Sequence, residues 1–116
     1  MRLIHHLTSR PAWGRAPAEP YRADSLAGEG FIHCSNAGQV AWAANRFYGG
    51  ADELLVLHVD AGRLTSPLRD EDGGNGEWFP HVYGPINRDA VVAVQALRRG
   101  PDGRWTFTPP GEGAQP

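Results

Sequence analysis

Apolar and polar positions change period several times along the chain, and the changes divide it into elements. Leu54-Leu55-Val56-Leu57-His58-Val59 is an unbroken apolar run of strand length. It predicts a central strand covered on both faces. Leu3 to Thr8 reads as a first strand. From Val40 the period changes: Val40, Ala44, Phe47 and Tyr48 recur at helical spacing. Asn36 with Gln39 matches a capping box, and Gly49-Gly50 supplies a stop, so the main helix is predicted over about 36–48. Phe31 to Cys34 is a short strand, and Trp78 to Tyr83 is another, interrupted at Pro80. Pro67 to Glu71 is predicted as an edge strand, where proline is tolerated. Val91–Leu97 and Trp105–Thr108 flank Gly100-Pro101-Asp102-Gly103, a turn signal that predicts a hairpin.

The remaining segments are weaker. Pro11, Pro17 and Pro20 limit any helix between Ser9 and Pro20 to about one turn, which Ser9 can cap and which contains Trp13. Residues 21–30 read as a loop with a turn at Ser25-Leu26. The tally is five to seven strands and one or two helices, an α+β fold. One domain is expected over residues 1–108, with 109–116 as a disordered tail that lacks core residues.

Composition narrows the partners. The 116 residues carry 11 basic and 13 acidic side chains, a formal net charge of -2. This balance gives no electrostatic footprint for nucleic acid or an acidic membrane. No apolar run approaches the ~20 residues of a membrane span. Cys34 is the single cysteine, so no internal disulfide can form, and a cytoplasmic, reducing compartment is expected. The chain contains no lysine, which removes lysine Schiff-base chemistry.

Two histidine-bearing strings carry the candidate chemistry: Phe31-Ile32-His33-Cys34-Ser35 and Phe79-Pro80-His81-Val82-Tyr83-Gly84-Pro85. Each places an imidazole in a strand beside a turn or helix start, where it is held rigidly and still reaches a ligand. Strand alternation puts His33 on a face with Phe31 and Ser35, and His81 on a face with Phe79 and Tyr83. It also separates His33 from Cys34, so these are not a Cys–His catalytic couple. Each histidine reads equally as a satisfied core residue or as the polar group of a pocket. Glu71, next to Asp70, is a loop carboxylate or a site acid. Ser35 caps the following helix or precedes its cap, at backbone N–H groups that suit an anion. His5 and His6 point to opposite faces of the first strand, so at most one reaches a given cleft. His58 reads as a core histidine and Cys34 as a small core residue. A metal triad of His33, His81 and Glu71 has suitable donor types but no compact ligand spacing, so no metal is assigned.

At these residues the chain resembles a known bacterial group, the domain-of-unknown-function family number 952. The resemblance rests on Leu3-Ile4-His5-His6-Leu7, Gly30-Phe31-Ile32-His33-Cys34-Ser35 with Gln39, Leu68-Arg69-Asp70-Glu71 and Phe79-Pro80-His81-Val82-Tyr83-Gly84-Pro85, and runs from about Leu3 to about Leu97. That family is grouped by distant similarity with ADP-ribosyltransferase-like folds, including the RNA 2′-phosphotransferases. The resemblance implies a bent or split, mostly antiparallel sheet with an NAD cleft. It implies catalytic roles for His33, His81 and Glu71, and cofactor contacts from His6, Ser35 and Tyr83. In this analogy His33 meets the nicotinamide ribose, His6 or His5 matches the first-strand position, and Glu71 or His81 the late catalytic position. The phosphotransferases' pair of catalytic arginines has no clear counterpart, and the basic surface that RNA requires is missing. The implied function is an NAD- or nucleotide-binding, transferase-like enzyme. The rivals are a non-catalytic module that binds a small ligand and a metal-dependent hydrolase-like site.

Overall fold

The apolar run at 54–59 forms the centre of β3 (Glu53–Asp60), and it is central because both of its flanks are hydrogen-bonded. On one side lies β1 (Leu3–Thr8), in antiparallel register from Leu3 opposite Asp60 to Thr8 opposite Leu55. On the other lies β6 (Val91–Arg98), also antiparallel. A second antiparallel sheet places β5 (Trp78–Val82) between the two-residue β2 (Ile32–His33) and β4 (Leu68–Asp72). The two sheets meet at one bridge, where His5 N–H donates to Ser35 O (2.8 Å) and Ser35 N–H to His5 O (2.7 Å). This is the structure as a computed structural model, and it describes residues 1–110. The tail expected at 109–116 lies, from residue 111 onward, outside the described residues.

Strand alternation divides the core into two layers. One face of the first sheet, with Ile4, Leu57 and Val59, packs against Ile32, Cys34 and Val82 from the back of the second. The other face, with Leu7, Leu54, Val56 and Leu97, packs against Val40 and Ala44 of the main helix and against Trp105. Burying such side chains contributes roughly 1.5–3 kcal/mol each.

The helices follow the caps. Ser9 Oγ accepts from Ala12 N–H (3.1 Å) at the start of α1 (Arg10–Gly14). The capping box at Asn36 and Gln39 opens a 3₁₀ turn at Ala37–Gln39, which runs into α3 (Val40–Phe47). The predicted main helix is therefore real, but its first turn is wound more tightly.

Four expectations need correction. Residues 24–29 are α2 (Asp24–Glu29), not loop; Gly30, at φ 90°, ends it in the left-handed conformation that glycine adopts without strain. The strand expected at 31–34 pairs with β5 only at Ile32 and His33. The strand at 78–83 is not interrupted at Pro80: β5 runs through it, although it is the middle strand. Pro80 O accepts from Cys34 N–H (3.0 Å). Its nitrogen points to the same flank, opposite Cys34, so this last pair keeps one bond where an antiparallel pair would make two, and the β2–β5 ladder stops at His33. The hairpin after β6 also does not form. Trp105 instead folds over the first sheet, where Asn45 accepts from its N–H (2.9 Å) and donates to its carbonyl (2.9 Å), and where its indole donates to Tyr48 O (3.2 Å).

Candidate functional site

Two residues far apart in sequence are direct partners in the second sheet: His33 lies opposite His81 in the β2–β5 register. Their rings stand edge to face with centroids 5.4 Å apart. Both line a cleft of about 990 Å³ that runs from this sheet past the end of β1 to α3. Phe31 and Phe79 contribute its apolar wall, with Trp42 from α3; Arg15 and Arg22 from the α1–α2 connection also line it.

His81 is held on two sides. Its Nδ1–H donates to Glu71 Oε1 (2.9 Å), and the Tyr83 hydroxyl donates to the same oxygen (2.6 Å). The Phe31 ring stacks on the imidazole at 4.2 Å and 22°. These bonds, the Tyr83 hydroxyl first and His81 second, hold the Glu71 carboxyl below the usual carboxylate range. The carboxylate in turn raises the Tyr83 phenol. Arg69, beside His81 in register, lies over the Tyr83 ring at 4.8 Å.

His33 is more open. Its Nε2 donates to Glu29 Oε1 of α2 (3.0 Å), with about half of its side chain exposed. Its backbone carbonyl accepts from His6 Nδ1 (2.6 Å). His6 Nε2 meets the Tyr21 hydroxyl (2.8 Å), which also meets Thr8 Oγ1 (2.9 Å). Burial lowers His6 to about 4, so the ring is neutral at pH 7. A neutral ring that donates through Nδ1 must accept at Nε2. The single Tyr21 proton therefore points to His6, and Thr8 supplies the hydrogen of the third bond. Burial raises Tyr21 to about 12, which keeps that proton in place.

The six residues singled out from sequence occupy different positions. His33, His81, His6 and Ser35 all line the cleft. His6 spends both ring nitrogens on protein partners, and Ser35 joins the two sheets through its backbone. Glu71 and Tyr83 do not line the cleft; they stand behind His81 and meet at one carboxylate oxygen. His5 sets its ring edge to face with His58 at 4.9 Å, and His58 pairs with Gln95; yet His5 also lines the cleft, so both histidines of β1 reach it where at most one was expected. Cys34 is in the core, and burial raises its thiol to about 12, which makes it inert as a nucleophile. Among the described residues, no three His, Cys, Asp or Glu side chains come together to hold a metal ion.

Sequence reasoning put Phe31 on the His33 face without assigning it to the site, and passed over Tyr21, Glu29 and the two arginines. Phe31 carried a usable signal, its place two residues before His33 on the same strand face. The others sit on α2 and on the segment before it, where no periodicity marks which side chains turn inward.

Fold and site together define a small α+β protein in which two three-stranded antiparallel sheets, joined at one bridge, flank a cleft with paired histidines. A family model described as protein of unknown function, DUF952, matches residues 7–94, and the chain belongs to that family. It is similar to protein CC0527 from Caulobacter crescentus. One crystal structure of that protein shares 30% identity with a TM-score of 0.80, covering 90% of this chain and 93% of that one. Its solution NMR structure shares 31% identity with a TM-score of 0.73, covering 90% and 91%. No curated protein matches the chain.

Proposed function

We propose that this protein is a small cytoplasmic enzyme of transferase-like chemistry that binds NAD or a related nucleotide in the cleft. One observation carries the reading: His33 and His81, from separate strings, meet in strand register on the wall of a single cleft. The cleft volume suits a ligand of this size, and its lining combines apolar rings with many polar groups, the carboxylates of Asp24, Glu29 and Asp72 among them. Phe31, Phe79 and Trp42 offer faces to a flat heterocycle, and Arg15 and Arg22 offer charge to phosphates. Two sheets that share a single bridge also fit the split sheet implied by the likeness to ADP-ribosyltransferases. The lone, buried thiol suits a reducing compartment. In this reading His33 binds ribose or phosphate, and His81 works at the reacting centre.

Calorimetry with NAD and ADP-ribose tests the proposal. Heat of binding and a raised melting temperature are expected, with both effects reduced in His33→Ala. No heat at millimolar nucleotide, together with an unchanged melting temperature, overturns it. Binding without turnover, unaltered by Glu71→Gln, would instead mark a non-catalytic module.

A further inference from the structure

We propose that His81 Nε2 is the proton acceptor of the cleft, and that Glu71 and Tyr83 are positioning residues acting through it. This deepens the nucleotide reading and rests on the same cleft. The argument begins with the hydrogen-bond inventory of one ring. Nδ1 points at a carboxylate oxygen, which only accepts, so in the neutral imidazole the proton resides on Nδ1 and Nε2 carries a lone pair. Nε2 has no hydrogen-bond partner among the described residues, although His81 is only 5% exposed. No buried side-chain nitrogen or oxygen in the described residues is both sealed and unpartnered. Nε2 therefore opens outward, and the surface His81 contributes is cleft wall. Phe31 stacked on the ring and Glu71 behind it fix its orientation. A second donor on Glu71 Oε1, the Tyr83 hydroxyl, keeps that carboxylate aligned and charged.

A carboxylate behind an imidazole whose outer nitrogen faces the ligand is the arrangement of a general base. In the corresponding step a water or an acceptor hydroxyl gives its proton to Nε2 as its oxygen bonds to an electrophilic carbon of the ligand. The leaving group departs with the electron pair of the broken bond and recovers the proton from the imidazolium. Glu71 stabilises that imidazolium without taking its proton. The arrangement differs from the sequence expectation in one respect: Glu71 contributes through His81 and not by facing the ligand itself.

The test needs no known substrate. In ¹⁵N-histidine NMR above the imidazole titration, His81 is expected to carry its proton on Nδ1. In Glu71→Ala the proton moves to Nε2, while Tyr83→Phe retains the Nδ1–H form. Diethyl pyrocarbonate, a small acylating probe, is expected to modify His81 and to spare His6, whose nitrogens are both engaged. An Nε2–H tautomer in the unaltered protein, or a His81 that resists the probe, overturns the proposal. Calorimetry with ADP-ribose separates the two ideas. Bound nucleotide with an Nε2–H tautomer removes the base and leaves the binding site. An Nδ1–H tautomer and a reactive His81 without nucleotide binding remove the nucleotide and leave the base.

Discussion

His6 is folded into the protein as a neutral base, and this makes stability depend on pH. Its folded value of about 4 lies well below the ordinary imidazole value because burial disfavours the charged form. The unfolded chain therefore binds more protons between pH 6.5 and 4. The His6 contribution is complete above the unfolded value and is lost as pH falls toward the folded one. The expected loss of unfolding free energy across that range is about 3 kcal/mol. Urea midpoints at pH 7, 5.5 and 4.5 check this, and His6→Gln should flatten the slope over that window. A second residue-scale prediction concerns Gly73, where an added Cβ would fall 2.3 Å from Phe79 Cδ1. Gly73→Ala must push the buried Phe79 ring away, with a cost of about 1–3 kcal/mol measurable as a lower melting temperature. At this scale the sequence was readable where alternation applies: it put His33 beside Phe31 and His81 beside Tyr83. It could not say whether Glu71 turns toward solvent or toward His81, because a carboxylate on an edge strand has no period to betray it.

The segment between α1 and α2 supplies Arg15, Tyr21 and Arg22 to the cleft, yet it has little secondary structure. One side chain organises it. Arg88 donates to the carbonyls of Glu19 (2.7 Å), Trp13 (2.9 Å), Arg15 (3.0 Å) and Ala16 (3.4 Å), and lies over the Trp13 ring at 4.4 Å. Ala16 is held at φ 46°, a left-handed conformation that alanine disfavours. Arg88→Ala should cost about 2 kcal/mol and speed hydrogen exchange between residues 13 and 21 more than elsewhere. Arg88→Lys should not restore protection, because an ammonium lacks the planar fork that reaches several carbonyls at once. Elements with strong period or caps were legible: β1, β3, the capping box and the edge strand β4. The misread ones were decided by distant partners. Trp105 is drawn into the layer between α3 and the first sheet, and the 24–29 helix is short, with an alanine where a side-chain cap would signal its start.

At the scale of the molecule, the two sheets are separate ladders that touch through the His5–Ser35 bridge and share an apolar layer. Ser35→Pro removes one of the two bridging donors and strands the His5 carbonyl, at a cost of about 1–3 kcal/mol. The expected signature is faster exchange at the His5 amide, with protection in the centre of β3 retained. Trp105→Ala tests the other layer. It empties a site between α3 and the first sheet and should destabilise by about 3–5 kcal/mol, read from the denaturant midpoint. The α+β class and the central place of β3 follow from the run of strand and helix periods. The division into two sheets does not, because a single bridge leaves no imprint on composition or spacing.

The tryptophans are distributed so that the protein carries its own optical instruments. Trp105 is 2% exposed inside the layer under α3, while Trp42 is 40% exposed on the wall of the cleft. Acrylamide reaches the second indole and not the first in the native state. With Trp13 and Trp78, the latter 65% exposed and outside the cleft, replaced by phenylalanine, a fall in Trp42 quenching on adding a solute reports occupancy of the cavity, and a red shift of the Trp105 emission reports loss of the fold, both in one cuvette and without a label.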